Sequence, residues 1–550
     1  MRNQFHKTAT QLLCASLIIV SNCGGFAQQA RSQSDPSQSD TTLPNPNEVL
    51  PADPSQSDTT LPNPNEVLPA DPSQSDTTLP TSNEILPSTP GDGPARSPVV
   101  AGNPTQVIEQ VETYQSLPYS TYFGLNFYGG LTSADQIAQT LEKLGKKTGT
   151  NPALIYVIST SKGLKLVLVL PNNAPSLSSS NFPVPSLDGR LASIQPQFKL
   201  AQENKSPTPS TKVLTYLVPE AKPELVRRSA RNFRKQVSDP GKTQGTSYQA
   251  PATELYRWIV APLKAELDAN KIDTLVFSLD RGFRSLPIAA LYDGDRFLVE
   301  QYNLALIPSF SLTDTRFQPI RGTKMLGMGI SQSAGGLPAL PAVSVEVPTL
   351  TEKIWEGAGY LDQQVTLSQF QSLAKREQFS IVHLATHAEF NPGNVNQSFI
   401  QFWDGKLTLS KLRKIALSQK WGSNPTVEML VLSACQTAIG SDQAELGFTG
   451  LAVQTGVKTA IGSLWSVSDE GTLGLMSEFY RNLKTAPIRA AALRNAQLSL
   501  LSGAVKVNNG QIQFPDGSQV ALPPDSSRQN EFNLSHPYYW AAYTVVGNWN

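Results

Sequence analysis

Two runs of apolar, β-branched residues each stop at a reactive side chain: Ile381 to Phe390 (IVHLATHAEF) at His387, and Met429 to Ala438 (MLVLSACQTA) at Cys435. A cysteine and a histidine held together can perform acyl transfer. The imidazole takes the thiol proton, the thiolate attacks a peptide carbonyl, and the imidazolium protonates the leaving amine. The backbone N–H groups of Cys435 and Ala388 are candidate donors to the oxyanion. No third side chain stands out to orient the imidazole, so the spacing predicts a dyad. His383 lies inside its apolar run and reads as a core histidine. His536, in SHPYYW, reads as structural.

The surrounding elements must bring residues 387 and 435 together. Phe379 to Ala385 and Val427 to Ser433 read as buried strands. Between them lie a short hairpin over Asp404-Gly405 and a helix over Leu409 to Gln419. A strand–helix–strand crossover makes the two strands parallel, so both C-terminal ends face one edge of the sheet, where ligands of open α/β sheets bind. His387 is then expected just past one strand end and Cys435 at the other.

The 550 residues allow two or three domains, with an apolar share of 39% but 42 prolines. Lys+Arg and Asp+Glu both number 44, which argues against nucleic acid as a partner. Too few cysteines and histidines are present for a zinc site, and no phosphate-cradling glycine motif occurs, so neither metal nor cofactor is expected.

The N-terminus reads as a targeting segment. Arg2 and Lys7 precede the apolar Leu12 to Val20, and a cleavage site follows Ala27. Val20-Ser21-Asn22-Cys23-Gly24 loosely resembles a lipobox, which leaves open a lipid anchor on Cys23, the one route by which membrane contact is expected. Cleavage after Ala27 would leave Cys435 as the sole thiol of an exported protein. Residues 28–104 are Pro- and Ser-rich; DPSQSDTTLPNPNEVLPA starts at Asp35, repeats at Asp53 and degrades from Asp71, a period of 18 residues. Such composition reads as an extended, disordered tether.

Order is expected near Val107, in an α/β region spanning 105–250. It holds a Ser133-capped helix with a stop at Gly145, and a hairpin of Leu154–Ser159 with Leu164–Leu170. A loop over Asn173–Ser210, a strand over Val213–Val218 and a basic helix from Pro223 to Val237 follow. An amphipathic helix over Ala252–Ala269 and a strand over Thr274–Leu279 come next.

From Ala252 onward the chain resembles the CHAT domain family, of the caspase, separase and gingipain clan of cysteine peptidases, in its bacterial, secreted form. The stretches LYRWIVAPLKAEL, HLATHAEF, LVLSACQTAIG, LGFTGLAVQTG, SLWSVSDE and HPYYWAAYTVVGNW carry the resemblance. It implies a caspase-like αβα sandwich with a largely parallel central sheet over residues 251–550. A non-catalytic lobe would run to about Gly335, with the His387–Cys435 lobe after it. The resemblance also implies peptidase action on a protein or peptide substrate. The family's histidine is usually followed by Gly, and here Ala388 stands in that place. LWSVSDE resembles a separase segment whose carboxylates bind a basic residue before the scissile bond; Asp469 is the matching position and implies preference for Arg or Lys. A catalytically silent binding or sensor module is the competing expectation.

Overall fold

The computed structural model describes residues 103–123, 131–172, 212–376, 379–391, 395–421, 427–437, 442–524 and 532–550. The targeting segment, the repeats and the loop over Asn173–Ser210 lie outside the described residues, which all belong to the compact unit Pro90–Asn550.

The upstream region opens with helix α1 (Pro104–Phe123), which sequence reading left unassigned, and α2 (Ala134–Thr148). Ser133 and Gln136 cap α2 reciprocally. Gly145 does not end it: Thr150 O lies 2.8 Å from where a Cβ on residue 145 would sit, and the left-handed stop is Gly149. Strands β1 (Pro152–Thr160), β2 (Gly163–Val169) and β3 (Val213–Val218) and helix α3 (Pro223–Val237) follow. The single helix expected over Ala252–Ala269 is broken into α4 (Gln249–Ile259), a 3₁₀ turn at Ala261–Leu263 and α5 (Lys264–Ala269). Pro262 cannot donate to the helix ladder, so the chain re-nucleates there.

Then come β4 (Thr274–Leu279), α6 (Leu298–Gln301), β5 (Asn303–Leu306), β6 (Lys324–Gly329), α7 (Val343–Pro348), β7 (Gly357–Leu361) and α8 (Leu367–Arg376). The next group is β8 (Phe379–Phe390), β9 (Phe399–Phe402), β10 (Gly405–Thr408), α9 (Leu409–Ser418), β11 (Met429–Thr437), α10 (Asp442–Thr449), α11 (Leu451–Thr455) and β12 (Thr459–Ser463). The chain closes with α12 (Asp469–Leu483), α13 (Arg489–Leu501), β13 (Lys506–Asn508), β14 (Gln511–Gln513), β15 (Gln519–Ala521), β16 (Phe532–Asn533), α14 (Pro537–Trp540) and β17 (Tyr543–Gly547).

One 13-stranded sheet runs β10-β9-β8-β11-β12-β17-β5-β4-β1-β2-β3, with β6 on β8 and β7 on β6; β13–β16 form a separate small sheet. Its two interior blocks, β7-β6-β8-β11-β12 and β5-β4-β1, are parallel. Strand β17 joins them, antiparallel to β12 and bridged in parallel to β5. Strands β1, β2, β4, β5, β12 and β17 are buried along nearly their whole length, so both faces of the sheet are covered. This is the α/β sandwich with a largely parallel sheet. Strand β1 pairs along β4, so the sheet continues across residue 250. The chain crosses from one block to the other between residues 306 and 324, whereas sequence reading drew the lobe boundary near Gly335.

Candidate functional site

Strand β8 organises the site. Its first half, to Ala385, lies between β6 and β11; its second half, at Ala388 and Glu389, lies between β9 and β11. Between them the register with β11 slips: Leu384 faces Leu432, but His387 faces Ala434, so β8 carries one extra residue. His383 and His387, four apart, would share a face in a regular strand; the bulge breaks that phase. Burial changes with it, from continuous over Ile381–Ala385 to alternating over Thr386–Phe390. At the slip the Ser433 carbonyl accepts from the Tyr543 hydroxyl, which also meets Thr472 at 3.1 Å.

His387 and Cys435 were expected at strand ends. Both instead lie within strands, because the hairpin β9–β10 supplies a new neighbour where β6 stops and pairing extends to Phe390 and Thr437. The parallel arrangement itself is as the crossover requires. Cys435 pairs with Ala388, one position beyond the His387–Ala434 pair. Strand spacing and rise put the Cα positions of His387 and Cys435 roughly 6 Å apart. For Cys435 the structure describes this backbone pairing and not the side chain.

His387 is partly exposed, and its Nε2 lies 2.9 Å from the carbonyl oxygen of Pro338. A carbonyl only accepts, so Nε2 carries hydrogen and Nδ1 holds the lone pair. Pro338 sits in the segment between β6 and α7, which is pinned along its length. Ile330 donates to Ala385 O at 3.0 Å, Leu340 donates to Ser331 O at 2.9 Å, and the N–H and hydroxyl of Ser331 bond Asp362. Sequence reading missed this group, since a backbone carbonyl has no residue signature; Leu337-Pro338-Ala339-Leu340-Pro341 announces a stiff segment but not which oxygen it presents.

The same segment ends on Asp469. The N–H of Ala342 donates to Asp469 Oδ2 at 2.6 Å. Asp469 opens α12 behind the Ser468 N-cap. Burial pushes its carboxyl up to about 7; the Ala342 N–H opposes that, and the nearby carboxylates Glu346 and Glu470 add to it. No cation is bonded to Asp469 among the described residues. Below lies His383, fully buried, with Nδ1 3.1 Å from the Tyr480 hydroxyl and Nε2 3.1 Å from Glu346 Oε1. That is the satisfied core histidine its apolar run implied. The other oxygen of Glu346 is buried without a partner.

Ala388 is buried and bridged on both edges, to Cys435 of β11 and Ile400 of β9. Its N–H therefore lies in the plane of the sheet. His536 caps α14 by accepting from the Tyr538 N–H at 3.1 Å; burial holds its imidazole down at about 4, a shift the nearby Gly245 backbone opposes. Among the described residues no group of three or more His, Cys, Asp or Glu could hold a metal ion, and no helix is long and apolar enough to cross a membrane.

A family model, the CHAT domain, matches residues 249–548. The chain belongs to the CHAT domain family. Its largely parallel α/β sheet is the fold expected of that family. No curated protein matches it. Among solved structures the CHAT protein is similar to Saccharomyces cerevisiae separase in two separase–securin complexes, at 2.6 and 3.0 Å resolution. Identity is 8% and 9%, the TM-score is 0.38 for both, and 81% of this chain is covered. The matches take in 34% and 33% of the solved chains, so this protein spans about a third of their length. A likeness this loose assigns no residue a role.

Proposed function

We propose that this CHAT protein is an exported cysteine endopeptidase in which His387 and Cys435 form the catalytic pair and cleavage follows Arg or Lys. The observation that carries the reading is the parallel register of β8 and β11, which sets residues 48 positions apart in the chain (387 and 435) on adjacent strands one step out of register. In this reading Nδ1 of His387 takes the Cys435 proton and the thiolate attacks the peptide carbonyl. The C–N bond breaks as Nδ1 returns the proton to the leaving amine, and water activated by the same imidazole hydrolyses the thioester. The Pro338 carbonyl supports the reading by fixing the tautomer and stabilising the imidazolium that forms. The Cys435 N–H is the oxyanion donor in this reading; that of Ala388, expected to join it, lies in the plane of the sheet. Asp469 supports a basic side chain before the scissile bond, being a largely buried carboxylate with no cation bonded to it among the described residues. Export rests on residues 1–27 or, in the alternative, on lipidation at Cys23.

The test is turnover of Arg- and Lys-ended fluorogenic peptides by the purified protein and by Cys435→Ala. Equal turnover by both sinks the reading. A second reading, a silent CHAT module that binds protein, is favoured by Ala388, whose N–H lies within the sheet instead of facing a substrate. Alkylation of Cys435 no faster than a model thiol at neutral pH would support it.

A further inference from the structure

Helix α10 begins five residues after β11 ends and packs on both β8 and β11. Its Glu445 is almost fully buried, 3% exposed, and every donor to its carboxylate comes from outside the dyad half of the sheet. Oε1 accepts from Arg234 Nη1 of α3 at 3.1 Å and from the Ser285 hydroxyl at 2.6 Å. Oε2 accepts from the Gly282 N–H at 3.0 Å. Arg234 also bonds Ser285 and is itself 3% exposed. Helix α1 grips the same helix from another side. The Tyr119 hydroxyl meets Thr449 Oγ1 at 2.8 Å, Tyr119 and Phe123 pack on Leu446, and the Phe123 ring lies 2.3 Å from where a Cβ on Gly450 would sit. Across α10, Gly447 faces Phe390 at the end of β8. Helices α1 and α3 both precede the family match at residue 249.

We propose that Glu445 is a positioning residue for Cys435, through which α1 and α3, upstream of the CHAT match, hold α10 against β8 and β11. A buried carboxylate with three donors has one low-energy position, because any shift strands it and Arg234 without partners. Helix α10 is therefore fixed relative to β4 and α3, and its packing against β8 and β11 transmits that placement to the strand that carries Cys435. The upstream region is then part of the peptidase and a lever on it: a partner that moved α1 or α3 would loosen α10 against β11. The role assigned to Cys435 rests on the function proposed above.

The test compares the full chain with Glu445→Gln and with the milder Thr449→Val, which removes the Tyr119 contact and keeps the carboxylate pair. Three readouts are taken: amide hydrogen exchange over residues 434–444, kcat and KM on an Arg-ended peptide, and peptide-resolved alkylation of Cys435 against pH. The expected result is exchange at least tenfold faster over 434–444, kcat lowered tenfold or more with KM within twofold, and a displaced alkylation profile, smaller in each case for Thr449→Val. Unchanged exchange over 434–444 in a folded Glu445→Gln overturns the proposal. So does faster exchange with unaltered kcat and alkylation in a background where Cys435 drives turnover. If the unsubstituted protein shows no Cys435-dependent turnover while Glu445→Gln still loosens 434–444, the anchor stands and the peptidase reading alone falls. Should Glu445→Gln not fold, Thr449→Val decides by the same readouts.

Discussion

His387 and Pro338, 49 residues apart, meet at 2.9 Å, ring nitrogen to backbone carbonyl. The bond gives the imidazole a defined tautomer without any acidic side chain. It also ties the candidate base to a segment whose far end is held by Asp469. One stretch of backbone thus touches both the candidate base and the candidate specificity carboxylate.

Freeing that backbone should blunt catalysis. Pro338→Gly removes the ring that fixes φ and lets the carbonyl wander from Nε2. The expected outcome is kcat lower by about 10- to 100-fold, with KM nearly unchanged, since misplacement of a base acts on the chemical step. Steady-state kinetics on an Arg-ended peptide measure it; a KM effect alone would contradict the orienting role.

Asp469 should govern both basic specificity and part of the pH profile. Asp469→Asn is expected to lower kcat/KM for Arg- and Lys-ended peptides by about 100-fold while sparing any residual turnover of neutral ones. Because its carboxyl is raised to about 7 from 3.8, it stabilises the folded state below pH 3.8, and that contribution is lost as pH rises towards 7. Thermal melts from pH 4 to 8 should show that loss in the parent and not in the Asn variant. KM for basic peptides should rise as pH falls through 7, where the carboxyl takes a proton.

His536 acts in the opposite direction over much of the same range. Its folded value, about 4, is depressed from 6.5, so its contribution is present above pH 6.5 and lost as pH falls through 4. The size is at most about 3 kcal/mol. His536→Asn keeps a side-chain acceptor at the cap of α14 and should remove this acid-side loss, as denaturant melts at pH 4.5 and 7 would reveal.

Restoring glycine beside the histidine tests the methyl group directly. Ala388→Gly is expected to raise kcat/KM several-fold by easing the backbone of β8, at a cost of about 0.5–1 kcal/mol in stability. If activity does not change, crowding by the Ala388 methyl is not what limits turnover.

Much of the site was legible in the sequence because the informative signals there are local. Continuous apolar runs before His387 and Cys435 specify buried parallel strands, and a crossover of known hand can only align them one way. The limits of the strands were not legible. Nothing local to Thr386–Phe390 announces that the hairpin Phe399–Thr408 will pair there, and that pairing turns an expected loop into strand. Breaks inside helices were misjudged where packing overrode residue type, as when Gly145 stayed helical against Thr150.

By itself the sequence determined the α/β class, the parallel pairing of the two strands, the assignment of His383 to the core and the family. These follow from side-chain polarity repeated along a short stretch. Only the tertiary structure decided that a bulge separates His383 from His387, that the Pro338 carbonyl orients the imidazole, and that Glu445 is locked to Arg234 from across the sheet. Each of those depends on backbone atoms or on partners distant in the chain. A hydrogen bond is decided by where two groups arrive in space, and composition and spacing do not record it.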